Sequence, residues 1–129
     1  MNIDSLLHRQ IHPSWVQNEI TSTLAFSVGS HAFNPSSKDE GMLSTYNGDK
    51  FTGEESYNHY VKERLSVGVL SVLVSEVNGV GDLNIIEDDF PFVGHASIDF
   101  NTVSSTNQRT KKAQKLRDLA LLRGWTYKI

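Results

Sequence analysis

The chain of 129 residues contains no cysteine. That excludes a disulfide framework, a thiolate nucleophile and a cysteine-ligated zinc, and it agrees with a reducing compartment. No apolar run approaches the roughly 18 to 20 residues that a membrane-spanning helix requires. The opening residues, MNIDSLLHRQIHP, carry neither the basic stretch nor the apolar stretch of a secretory signal. A cytoplasmic protein without a membrane partner is therefore expected. Several catalytic signatures are also missing: there is no GxSxG elbow, no Walker-type or GxGxxG loop, and no HExxH pattern. Their absence removes the motif-based grounds for a serine hydrolase, a nucleoside triphosphatase or a helix-borne zinc site, and no cofactor is expected. No internal repeat or low-complexity segment occurs.

What is present suits one folding unit spanning residues 1–129, because 38% hydrophobic residues supply one modest core and not two. The net charge of −3 hides an asymmetry. Residues 1–100 carry 14 acidic and 5 basic side chains, whereas residues 101–129 carry Asp118 against seven basic residues, among them Lys111, Lys115 and Arg117. Such a basic segment marks a surface for nucleic acid or an acidic partner, or else a helix neutralised by lying against the acidic body.

Local patterns give an alternating order of elements. Ile3, Leu6, Leu7, Ile11 and Trp15 have spacings compatible with a short helix, which Pro13 would interrupt, so a short element and a turn are expected. Ile20 to Val28 reads as a β-branched strand and Met42 to Tyr46 as a short one. Between them, and on to Lys50, lies a stretch dense in Ser, Asn, Asp, Gly and Pro, the kind of loop that carries function. Thr52 and Glu55 have the spacing of a capping box, predicting a helix whose Tyr57, Tyr60, Val61 and Leu65 form a stripe facing the core. Val67 to Val74 predicts a central buried strand, Ser75 a short helical turn, and His95 to Phe100 a half-buried strand. From Ser104 a helix is predicted, stopped by Gly124 and followed by a terminal strand or docked tail. Together these give an α+β fold: one small two-layer domain with a mixed or antiparallel sheet and two main helices.

The five histidines do not have metal-ligand spacing, and no metal site is expected; His12 suits the turn before Pro13, and His31, His59 and His95 read as ordinary polar side chains. The most suggestive polar cluster is Lys38, Asp39 and Glu40, with Phe33 and Tyr46 as flanking aromatic surfaces. These groups can bind a polar ligand or move a proton, or they form a solvated turn in which Asp39 or Glu40 caps an amide.

The segments His12-Pro13-Ser14-Trp15, Ala32-Phe33-x-Pro35, Lys38-Asp39-Glu40-Gly41 with Leu43-Ser44, and Val67-Gly68-Val69-Leu70 resemble a group of small bacterial proteins described as hypothetical. The resemblance spans most of the chain, with residues 18–29 longer here, and implies a bacterial or phage-related cytosolic protein but no activity. Arg9 followed by a Ser/Thr strand containing Ala-Phe more distantly resembles ADP-ribosyltransferase-like folds. Three functional expectations follow. One is a protein-interaction or regulatory module with a protein partner, linked to defence or toxin systems. Another is a small nucleotide-acting or ADP-ribosyltransferase-like enzyme using Arg9, His12, Lys38, Glu40 and Tyr46 in one pocket. The third is nucleic-acid binding through Lys111, Lys115 and Arg117 on the C-terminal helix.

Overall fold

The structure, a computed structural model, describes residues 1–17 and 27–129. In chain order its strands and helices are β1 (Leu6–Ile11), β2 (Val16–Gln17), β3 (Ser27–Val28), β4 (Met42–Asn47), α1 (Gly53–Tyr60), β5 (Gly68–Leu73), α2 (Val74–Val80), β6 (Asn84–Ile86), β7 (His95–Asp99), α3 (Thr106–Arg123) and β8 (Tyr127–Lys128). Single 3₁₀ turns occupy Pro13–Trp15, Ser30–Phe33 and Ser37–Asp39. Six strands form one sheet in the order β6-β7-β4-β1-β5-β8, antiparallel throughout, and β2 pairs with β3 in a separate ribbon. The α+β class and the antiparallel sheet agree with the sequence-based expectation. Most of the strand expected over residues 20–28 lies outside the described residues.

Alternation along each strand separates two unlike faces. One carries Leu7, Ile11, Leu43, Leu70, Val72, Ala96 and Ile98, all buried, and packs against Val77 of α2 and Ala113, Leu116 and Ala120 of α3. Phe33, in the turn after β3, completes this core with no exposed surface. The opposite face carries His8, Gln10, Tyr46, Ser71, His95 and Ser97, also buried but polar, with α1 laid across one end. Every buried polar side-chain atom among the described residues has a hydrogen-bond partner, as burial requires. Gln10, for example, donates to Ser56 Oγ of α1 at 3.0 Å and accepts from Ser66 Oγ at 3.0 Å.

The helix boundaries follow local chemistry. Thr52 Oγ1 accepts from the Glu55 amide and Glu55 returns a bond to the Thr52 amide, the expected capping box. Ser105 caps α3, and Gly124, at φ 90°, ends it. The short element and turn expected at the start are strand β1 and the Pro13–Trp15 turn, with Leu7 and Ile11 facing the core while His8 and Gln10 face the polar side. One expectation is corrected. The stripe on α1 is not core: the helix ends at Tyr60, Val61 and Leu65 are exposed, and the buried positions are the small Gly53 and Ser56. Small residues there let α1 approach the sheet, with Gly53 directly over Thr126. Tyr57 leaves the core to pack on Tyr127, with ring centroids 5.1 Å apart.

Candidate functional site

The middle of the sheet is split. Strand β1 pairs with β5 along all six of its residues, but with β4 only at Leu7↔Asn47 and His8↔Tyr46. Beyond that point the guanidinium of Arg9 bridges the diverging strands, its Nε donating to the Ala32 carbonyl at 2.6 Å and its Nη1 to the Ser44 carbonyl at 2.9 Å. A cleft of about 860 Å³ follows the split, bounded by β1, β4, β7, α1 and the segment around residues 31–39. That volume lies within the usual range of small-ligand sites, about 300 to 1,000 Å³.

Arg9 is the most enclosed cation of this cleft, whose lining also includes the exposed Lys62 and Arg64. Its guanidinium lies 5.1 Å from the Trp15 ring centre, a cation–π arrangement. Burial pulls its pKa down to about 10, while Tyr60 and Asp39 act in the opposite sense, so it stays charged at neutral pH. Among the described residues it forms no ion pair with a carboxylate. Asp39, the acidic group nearest in effect, is occupied by the amide and hydroxyl of Ser36 at 2.9 and 2.7 Å. Arg9 thus retains donors beyond those given to the two carbonyls, in a setting where a cation gains from an anionic partner.

Four of the five histidines, His8, His31, His59 and His95, line the same cleft. His8 is the most enclosed, tied to Ser71 Oγ at 2.7 Å and to the Phe51 carbonyl at 3.0 Å. Burial lowers its pKa against the raising effect of the Phe51 bond, so the neutral ring is favoured. His95 Nδ1 donates to Asp88 Oδ1 at 2.7 Å, and Ser97 Oγ donates to the other oxygen of the same carboxylate at 2.8 Å. His59 Nδ1 meets the Tyr46 hydroxyl at 2.7 Å. Burial, reinforced by Tyr60, raises the Tyr46 pKa, so the phenol keeps its proton and can donate it.

Both imidazoles are therefore fixed through Nδ1, and both pack on Phe92, with ring centroids 4.5 Å (His59) and 5.4 Å (His95) away. Neither Nε2 makes a hydrogen bond among the described residues. Because no buried side-chain nitrogen lacks a partner, both Nε2 atoms reach solvent-accessible space. Gly94 sets the approach to His95: its φ is 98°, its amide donates to Asp89, its carbonyl accepts from the Asn47 amide, and a β-carbon there would strike the Phe51 ring.

Of the residues singled out in the sequence, the cleft gathers Arg9, Asp39 and Tyr46. Asp39 also performs the amide-capping role expected of that turn. His12, Lys38 and Glu40 do not line it. His12 Nδ1 caps the Pro13–Trp15 turn by accepting from the Ser14 amide at 3.1 Å. Lys38 is exposed on the Ser37–Asp39 turn, and Glu40 is exposed at φ 53° with its carbonyl held by Asn101. Phe33 cannot stack on a ligand, because it is buried in the core.

The basic residues of α3 lie elsewhere. Arg117 pairs with its neighbour Asp118 at 3.0 Å, Lys111 is exposed, and Lys115 borders a shallow groove with Val80, Leu119 and Leu122. Internal neutralisation of this helix is partial and runs through Arg123, 2.8 Å from Glu76, and Lys112, 3.9 Å from Asp82. His59 and His95 were read as ordinary polar side chains and Trp15 and Tyr60 as parts of apolar patterns, and neither these four nor Asp88 and Phe92 were assigned to a site, since they come from separate elements. The available signal was the alternation that sets His95 and Ser97 on one face of β7. Comparison of the chain with family models, with curated proteins and with solved structures gave no match.

Proposed function

We propose that the cleft binds a small phosphate-bearing ligand with an aromatic moiety, of the nucleotide class, and that the protein acts on it as an enzyme. The observation that carries this reading is Arg9: a half-buried cation without a carboxylate partner among the described residues, held in the cleft by two backbone carbonyls. A phosphate would supply the missing counter-charge and accept from the remaining guanidinium donors. Trp15, Tyr60 and Phe92 line the same space and offer faces on which a base can stack. His59 and His95 supply proton-handling groups of the kind enzymes use.

The direct test is titration of the protein with adenosine and guanosine mononucleotides, nucleosides and inorganic phosphate, read by calorimetry and by Trp15 fluorescence. Mononucleotides are expected to bind in the micromolar to low millimolar range and to shift the fluorescence. Nucleosides and phosphate alone are expected to bind at least tenfold more weakly. Tyr60→Ala, which leaves the Arg9 bridge in place, is expected to weaken mononucleotide binding. An absence of binding by every nucleotide at millimolar concentration would remove this reading.

A protein-interaction or regulatory role draws support from a different place, the groove between α2 and α3. There Leu122 is 87% exposed beside Val80 and Leu119, with Lys115 and Asp118 at the rim. Retention of a partner by the native protein, lost in Leu122→Asp, is the result expected if that surface is used.

A further inference from the structure

We propose that His95 and His59 act as a general base and general acid that cleave a ribonucleotide phosphodiester in this cleft by attack of the substrate's own 2′-hydroxyl; this rests on the reading of the cleft as a nucleotide site. The two rings enter from different elements, β7 and α1, yet flank the same Phe92, and each presents Nε2 to accessible space. Their supports differ in kind. Asp88 accepts from Nδ1 of His95, which leaves a lone pair on Nε2 and fixes the ring as that atom takes a proton. Tyr46 is a hydroxyl, able to accept from Nδ1–H of His59 both while the ring is protonated and after Nε2 has given up its proton, so it holds the ring in both states. One position suits a base and the other an acid that must give up its proton and stay in place.

Among the described residues, no serine or threonine hydroxyl in or beside the cleft is set up as a nucleophile, and the Tyr46 hydroxyl is held on His59 Nδ1 with its proton retained. Ser97 gives its proton to Asp88 and Ser36 gives its own to Asp39. Ser44 is exposed, and among the described residues it has no imidazole partner. The attacking oxygen must then come with the substrate, and a ribonucleotide carries one next to its phosphate. His95 Nε2 takes the proton of the 2′-hydroxyl as the O2′–P bond forms. The P–O5′ bond breaks, and the departing 5′-oxygen takes the proton from Nε2 of protonated His59. The products are a 2′,3′-cyclic phosphate and a 5′-hydroxyl, with no co-reactant consumed. Arg9 offsets the charge that accumulates on the phosphoryl oxygens. Exchange with water returns both rings to their starting states. Asp88 is a positioning residue in this scheme.

The test incubates the full chain with the set of ribodinucleoside monophosphates, reading products by ³¹P NMR and binding by calorimetry with the 2′-O-methyl analogues. Cyclic phosphate is expected from the ribo compounds only. His95→Asn and His59→Asn are each expected to lower kcat at least 100-fold while both variants keep the native circular dichroism and bind the 2′-O-methyl analogue within twofold. Asp88→Asn is expected to lower kcat about tenfold or more with KM unchanged, a split that a general loss of fold would not produce. Binding of the analogues without cleavage of the ribo compounds overturns the proposal and leaves the nucleotide site standing. Failure of both to bind overturns the two together, and cleavage that survives both histidine substitutions overturns the assignment of roles.

Discussion

The two faces of the central sheet are built from the same strands and are both largely buried, yet they are held by different forces. On β1, Leu7 and Ile11 point into hydrocarbon while His8 and Gln10 point into a hydrogen-bonded layer. The aliphatic face is stabilised by area removed from water and tolerates imprecise geometry. The polar face gives little net stability per bond but forbids any unmade one, so its side chains sit in fixed orientations. Fixed orientation is what a binding cleft needs, and the cleft opens beside the polar face, where the β1–β4 ladder stops and Arg9 replaces it.

The contrast is broken most strongly on the aliphatic side. Leu70→Ala leaves a cavity in the core and is expected to cost about 3 kcal/mol in urea denaturation. At the seam between the two faces, Arg9→Met deprives the Ala32 and Ser44 carbonyls of their donor and is expected to cost about 2 kcal/mol. A loss as large as that of Leu70→Ala would show that the split depends on Arg9 more than hydrogen bonding accounts for. Away from both faces, Thr52→Ala removes the capping bond to Glu55 and is expected to cost about 1 kcal/mol.

The smallest effect concerns pH and isolates the polar face. His8 is held neutral by burial, with its pKa below that of the unfolded chain, so the unfolded state binds the extra proton. Stability from this residue is complete above about pH 6.5 and is lost as pH falls from there toward the folded value. The buried cluster on the opposite face contains no histidine among the described residues. Glu55, Glu76 and Asp89 are also shifted downward: Glu55 by Thr52, Glu76 by Arg123 and the Leu73 amide against an opposing burial effect, and Asp89 by the Gly94 amide and Lys50. Their losses begin lower, as pH falls through the ordinary carboxylate range. The melting temperature is expected to drop between pH 7.5 and 5.5, and His8→Asn is expected to flatten that interval without removing the steeper fall below pH 4.5.

Legibility in the sequence followed the same division. The Val67 to Val74 run, the capping box at Thr52 and the glycine stop at Gly124 are local signals, and each marks an element in the fold. The β1 strand was ambiguous because Leu7 and Ile11 are four apart, a spacing that a helix and one face of a strand both produce. The tyrosine stripe of α1 misled because burial there is by glycine and serine, with aromatic rings displaced to the cleft and to β8. In the candidate site, Asp39 and Tyr46 were legible as polar and aromatic residues of one suspected loop, and Arg9 was singled out through a distant family resemblance. His59 and His95 were not, since they come together only through the fold: α1 and β7 meet around Phe92, and nothing in linear spacing encodes that meeting.

The most direct test of the cleft is a ¹H–¹⁵N NMR titration with a mononucleotide, which compares it with the basic surface of α3 in one experiment. Saturable shifts are expected at Arg9, Trp15, Tyr60, His59 and His95, with Lys111, Lys115 and Leu122 unmoved. Shifts confined to α3, or none anywhere at millimolar nucleotide, would contradict the assignment of the cleft as the functional site.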